Sequence, residues 1–261
     1  MKKRIFINIH YLEIGGAERA LLGLLSSFDP QIVDVDLFVN QHTGEFMKLI
    51  PNYVNLLPEI PEYTCIERSI KDIVKEGHIG MAVRRLWAKS KHKKYLKTLS
   101  AEEKKNDSSI FLYVSNAVES ALPSLYDNGE YDLAISFLQP HNIVLNKVKA
   151  KKKICWIHTD YSTIHVNHDL ELPLWDGFDY VASISEECTK AFLKTFPELK
   201  DKIVLIENIL SPSFVRQQAE LEDVSAEMPD ESGVVKLLTI GRYCPAKRME
   251  CIPRLCADME K

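Results

Sequence analysis

Residues 4–28 read RIFINIHYLEIGGAERALLGLLSSF, and the order of their parts decides the fold class. Arg4–His10 is a short β-branched and aromatic run, the make-up of a buried strand. Tyr11–Gly16 is a turn that ends in two glycines. From there Ala17, Ala20, Leu21, Leu24, Leu25 and Phe28 recur at the i, i+3, i+4 spacing of an amphipathic helix. A strand that runs through a glycine turn into a helix is the opening half of a βαβ unit.

The alternation continues outward from that unit. Val33–Val39, Tyr131–Leu138, Lys153–Ile157, Tyr180–Ile184 and Ile203–Ile206 read as strands, with helical segments over 108–126, 169–175 and 186–195. Strands that alternate with helices predict an α/β fold: a parallel sheet with helices on both faces. Two regions break the pattern. Ile66–Leu99 is long and helical, with a basic second half. Leu210–Gly233 has poor periodicity, Pro212, Pro229 and Gly233, and a cluster of acids from Glu220 to Glu231, which is the make-up of a connector. Val234–Ile240 then predicts a new buried strand, followed by Gly241-Arg242 and a short helix from about Met249. The expected organisation is a domain over 1–209, a linker over 210–233, and over 234–261 the first strand-loop-helix of a second, incomplete domain.

Composition narrows the function. The chain has 261 residues, 46% apolar and 27% charged, which suits a protein with a full core. With 33 Lys+Arg against 37 Asp+Glu, a formal charge of −4 and a pI near 6.1, it lacks the basic excess of a general nucleic-acid binder. Its six cysteines form neither a paired C-x-x-C nor a zinc pattern, so reduced thiols and no metal site are expected. Met1-Lys2-Lys3-Arg4 resembles the start of a signal peptide, but Ile5-Phe6-Ile7 followed by Asn8 is too short for its apolar core. No run approaches the ~20 apolar residues of a membrane span. A soluble cytoplasmic chain is the expectation.

Three places could carry chemistry. Gly15-Gly16 lies beyond a strand and opens a helix, where backbone can approach a ligand and free N–H groups favour an anion. A tight turn that simply needs glycine accounts for it equally well. It is not a dinucleotide fingerprint, because G-x-G-x-x-G is absent and the second strand ends in Asn40-Gln41 rather than an acid. Gly241–Lys247 sets Arg242 and Lys247 five apart across a turn, able to clasp a diphosphate or to sit as two solvated cations. Cys155–Asp160 runs a strand into His158, which could hydrogen-bond a substrate, serve as acid or base, or be a satisfied core histidine. Asp160 could orient that histidine or cap the next segment. Ser185 reads most simply as an N-cap before Glu186-Glu187.

Taken in order, GGAER, a strand ending in IHTD, then ASISEE, IEN and GRYCPAK resemble the family 4 glycosyltransferases over nearly the whole chain. The resemblance implies the GT-B fold of two Rossmann-like domains facing across a cleft. It implies transfer of a hexose, with retention, from a nucleoside diphosphate sugar to a glycan or polyprenyl-linked acceptor, as in polysaccharide or glycolipid synthesis. It implies His158 as the active-site histidine. Gly15 and Gly16 would approach the donor diphosphate, and Arg242 and Lys247 would hold it as leaving group, since departing charge needs fixed cations where it develops. Asp160, Ser185 and Asn208 would be further substrate contacts. No metal or other cofactor is required, because the cations replace it; Asp34-Val35-Asp36 spells D-x-D but lies within a predicted strand. The family's Glu-x7-Glu element has no counterpart, and its Asn-Gly is Asn208-Ile209 here. The chain therefore resembles an acceptor-side domain plus the first βα unit of a donor domain, with little transferase activity expected of it alone. A non-catalytic acceptor-binding subunit and a sugar-nucleotide epimerase of the same fold stay open. A nicotinamide-dependent dehydrogenase lacks its fingerprint.

Arg84, Arg85, Lys89, Lys91, Lys93, Lys94 and Lys97 place seven cations and no acid between 84 and 97, interleaved with Val83, Leu86, Trp87, Tyr95 and Leu96. Such a helix can lie on an anionic membrane face or be a solvated surface. Since many members of the resembled family act on lipid-linked acceptors, the first six are expected to face the inner leaflet of the cytoplasmic membrane.

Overall fold

The computed structural model describes residues 2–223, 227, 232–233, 235–241, 243 and 247–259. Met1–Ser211 forms one compact unit and Pro212–Lys261 a second.

The first unit is built on seven strands: β1 (Lys3–Ile9), β2 (Val33–Val39), β3 (Asn55–Leu56), β4 (Tyr131–Ser136), β5 (Ala150–Ile157), β6 (Tyr180–Ser183) and β7 (Ile203–Leu205). They pair in the order β3-β2-β1-β4-β5-β6-β7, every pair parallel. Alternation along β1 explains the two layers. Ile5, Ile7 and Ile9 face one side and pack with Leu21 and Leu25 of α1 (Gly16–Ser27). Phe6 faces the other, against Phe38, Tyr63 and Tyr131. The fold is a Rossmann-like sheet with a buried layer on each face.

Between β3 and β4 come α2 (Pro61–Thr64), α3 (Ile70–Lys75), α4 (Ile79–Leu96), α5 (Ala101–Asn106) and α6 (Ile110–Val118), of which α2, α3, α4 and α6 pack on the Phe6 side. The helix expected over 66–99 is broken at Gly77. Its φ of +89° ends α3, and His78 N donates to Ile73 O at 2.9 Å. The remaining helices are α7 (Asn142–Lys147), α8 (His168–Asp176) and α9 (Glu186–Thr195).

The second unit departs from expectation. The connector region opens with a helix, α10 (Pro212–Ala219), with proline in its first position, where a missing N–H costs nothing. Residues 235–240, expected as a buried strand, form none. Val235, Leu237, Leu238 and Ile240 are exposed. A strand needs a neighbour for its backbone groups, and this unit offers no other among its described residues. The expected C-terminal helix is present as α11 (Ile252–Met259).

Candidate functional site

The strand order reverses between β1 and β4: β1 continues to β2 on one side and β4 to β5 on the other. Beyond the carboxyl ends of such strands the two connections run in opposite directions and leave a crevice. A cavity of about 260 Å³ lies there, near the lower end of the ~300–1,000 Å³ of small-ligand sites. Three histidines line it: His10 after β1, His141 after β4 and His158 after β5.

Each is set by its local chain. The backbone after β1 is fastened to the loop after β2, with Leu12 N donating to Thr43 O at 3.0 Å and Phe46 N to Leu12 O at 2.9 Å. Gly44 allows this approach. Its φ is +109°, and a Cβ there would lie 2.1 Å from the Leu12 carbonyl. Across the switch, His10 Nδ1 sits 2.9 Å from Gln139 O. His141 Nδ1 pairs with Ser136 Oγ at 2.8 Å, its ring centroid 4.6 Å from that of Trp175. Burial, and then the nearby His158, pushes its pKa down to about 3. His158 lies at 4.6 Å from the Phe137 ring, and burial alone lowers it to about 4. Both imidazoles are neutral at neutral pH. His158 Nε2 is buried with no hydrogen-bond partner among the described residues.

A buried carboxylate braces the far wall. Glu171 of α8 accepts from Tyr161 OH (2.6 Å), Trp175 Nε1 (2.9 Å) and Gln139 Nε2 (3.4 Å) through one oxygen. Burial raises its pKa, against the opposing effect of the Tyr161 and Trp175 hydrogen bonds. Tyr161, Trp175 and Gln139 all line the cavity, so Glu171 positions three walls at once.

Of the candidate site residues that the structure describes, only His158 lines this cavity. Gly15 is extended at φ −152°, so its backbone does not need glycine, and the Glu18 carboxylate lies directly against it. Gly16 has open space around its α-carbon. Asp160 accepts from Ser162 N (2.9 Å) and Ser162 Oγ (2.6 Å), which makes it the cap of the next turn; it makes no hydrogen bond to His158. Ser185 caps α9, accepting from Cys188 N at 3.1 Å. Asn208 is exposed beyond β7. Lys247 is exposed in the second unit, and Arg242 lies outside the described residues.

The basic helix needs one correction. Ile79, Val83, Leu86 and Trp87 form an exposed apolar stripe on α4, with Arg84, Lys91, Lys93 and Lys94 exposed around it. Lys91 Nζ stands 3.7 Å over the Trp87 ring. Arg85, expected on that face, is buried instead, at 6% exposure. It falls in register with Met81, Ala82 and Ala88 on the opposite, core-facing side. Lys89 is exposed one turn beyond it. No helix of the described residues is long and apolar enough to cross a membrane.

No family model matches the chain, and no curated protein does. Among solved structures it is similar to Anabaena Alr3699/HepE, crystallised in complex with UDP and glucose, at a TM-score of 0.43 and 15% identity. The match covers 83% of this chain and 50% of that one, so the chain spans half the length of that protein. A likeness this distant assigns no activity.

Proposed function

We propose that this chain is the acceptor-side part of a GT-B-type glycosyltransferase. In this reading a hexose passes, with retention, from a nucleoside diphosphate sugar to a glycan or lipid-linked acceptor. The observation that carries it is His158: at the carboxyl end of β5, in the switch-point cavity, neutral, with a buried Nε2 that has no hydrogen-bond partner among the described residues. Buried polar atoms are almost always paired, so a ligand polar atom is the natural partner. A neutral imidazole suits a sugar hydroxyl, to which it can donate or from which it can accept. The motif order GGAER, IHTD, GR-x4-K supports the same reading. Arg242 and Lys247 would hold the diphosphate and Gly15-Gly16 would close over the donor, while Asp160, Ser185 and Asn208 would serve as outer contacts. No metal is required in this scheme. Asp34 and Asp36, the D-x-D pair, are instead engaged by Lys2 (3.1 Å) and by Arg4 and Tyr131 (3.3 and 2.7 Å).

One observation favours a second reading. Among the described residues no lysine or arginine lines the cavity, and Glu67 is its carboxylate. A module that binds only the uncharged acceptor, and leaves the donor to another chain, would have such a lining.

Calorimetric titration with UDP, GDP and their hexose conjugates separates the two. The transferase reading expects a sugar nucleotide to bind and R242A/K247A to abolish it. His158→Ala should weaken the hexose conjugate roughly tenfold while leaving the bare nucleotide unchanged, the loss expected for one buried hydrogen bond. No nucleotide binding at all would overturn that reading in favour of the acceptor module.

The stripe of Ile79, Val83, Leu86 and Trp87 ringed by cations supports a peripheral position on an anionic leaflet, where a lipid-linked acceptor would be met.

A further inference from the structure

Arg85 is the most deeply buried cation described in the first unit, and among the described residues it makes no ion pair. Its Nη1 donates to Cys65 O at 2.7 Å and to Arg68 O, two neutral carbonyls. No carboxylate among the described residues lies within ion-pair distance of it, and its Nε is buried with no hydrogen-bond partner. A buried guanidinium keeps its proton, and a buried charge without an anion is costly. Burial pulls its pKa down, partly countered by Cys65 and Glu67.

Arg85 lines a second cavity of about 290 Å³. Lys89, one helical turn on, lines it too, which brings two cations to one wall. The rest of the lining is apolar at Ile66, Ile110, Phe111, Val114 and Pro140, and carries one carboxylate, Glu67, and one amide, Gln139. Glu67, Phe111 and Gln139 are common to this cavity and to the switch-point cavity, so the two share a wall.

We infer that this second cavity is a binding site for an amphipathic anion, its phosphate or carboxylate head paired with Arg85 and Lys89 and its apolar part on Ile110, Val114 and Pro140. Both halves of the lining are needed for that choice. A bare anion would leave the apolar wall wet, and an apolar ligand would leave Arg85 unpaired. The shared wall makes the ligand an acceptor that carries a negative charge beside its reacting end. That last step rests on the transferase reading; the binding site does not.

The test is calorimetry on the 261-residue chain without any nucleotide. Hexyl phosphate and hexanoate are the probes, below their aggregation limits. Inorganic phosphate and neutral hexyl glucoside are the controls. At least one hexyl anion should bind ten times more tightly than both controls, the better head deciding between phosphate and carboxylate. Lys89→Glu, at an exposed position, should cost at least tenfold; Arg85→Gln should abolish binding, with Arg85→Lys intermediate. If Arg85→Gln fails to show a cooperative melt, K89E and R85K carry the result. Hexyl anions no tighter than hexyl glucoside, inorganic phosphate as tight as hexyl phosphate, or affinity unchanged in K89E would each overturn the site. Because no nucleotide is present, such a failure says nothing about sugar-nucleotide binding, and the reverse holds equally.

Discussion

His10 Nδ1 and the carbonyl oxygen of Gln139 meet at 2.9 Å, across the point where the strand order reverses. A carbonyl only accepts, so Nδ1 carries the proton and Nε2 is the free face of the ring. The contact ties the segment after β1 to the segment after β4, the two connections that diverge to open the crevice. His10 and Gln139 both line the resulting cavity, and Gln139 in turn reaches Glu171. One chain of hydrogen bonds thus runs from β1 to α8 around the site.

The buried histidines should make the fold acid-sensitive in a defined window. His158 and His141 have folded pKa values of about 4 and about 3, below the ordinary 6.5 of an unfolded chain. Between those limits the unfolded state binds more protons, so stability is full above pH 6.5 and falls as pH drops towards 4. A shift of this size corresponds to about 3 kcal/mol for His158 alone. Carboxylates held low by partners, such as Asp132 at about 2 through its Lys151 hydrogen bond, lose their contribution only at lower pH. Thermal melts from pH 7.5 to 4.5 should show the decline, and His158→Asn should flatten it. A melting temperature constant to pH 5 would contradict neutral burial.

Much of this arrangement is legible in the sequence, and the exceptions have physical causes. The period-2 face of Ile5, Ile7 and Ile9 and the helical spacing of Ala20, Leu21 and Leu25 give β1 and α1 to within a residue, and Val33–Val39 and Glu186–Thr195 match their elements end to end. Gln139 and His141 are missed because their importance depends on β4 lying beside β1. That adjacency is hidden by the long helical excursion between β3 and β4. Arg85 is misplaced because a run of cations reads as surface. The signal against it is present, since Met81, Ala82, Arg85 and Ala88 make one helical stripe with Arg85 inside it. The apolar run over 234–240 satisfies strand composition, but pairing is a property of neighbours, not of composition.

Glu171 should tolerate loss of its charge but not of its oxygen. Three donors converge on Oε1, from Tyr161, Trp175 and Gln139. Glu171→Gln keeps an acceptor of the same shape and removes a buried charge, so urea melts at pH 7 should place it within about 1 kcal/mol of the parent. Glu171→Leu leaves three donors without a partner and should cost about 2–5 kcal/mol. The raised pKa of Glu171 has the opposite sign to the histidines: it favours the fold on acidification and is lost as pH rises through the folded value. E171Q should therefore gain on the parent as pH rises above the ordinary carboxylate range. Equal destabilisation by E171Q and E171L would mean that the charge itself holds the wall.

Membrane contact, if α4 makes it, should depend on one side of that helix and not the other. Ile79, Val83, Leu86 and Trp87 lie on the exposed side with Lys93 and Lys94, while Arg85 lies on the buried side with Lys89 at its flank. Each cation near an anionic surface is worth about 1 kcal/mol, so reversing Lys91, Lys93 and Lys94 together should lower partitioning onto anionic vesicles by at least tenfold. Trp87→Ser should lower it further by removing the ring over which Lys91 stands. Lys89→Glu, which weakens the second cavity, should change flotation by much less than the triple reversal. Flotation on vesicles containing 30% anionic lipid against neutral vesicles measures all three. Binding that survives the triple reversal would take the membrane face away from α4, whereas binding lost in K89E alone would mean that the helix meets lipid through the cavity of Arg85 rather than through its apolar stripe.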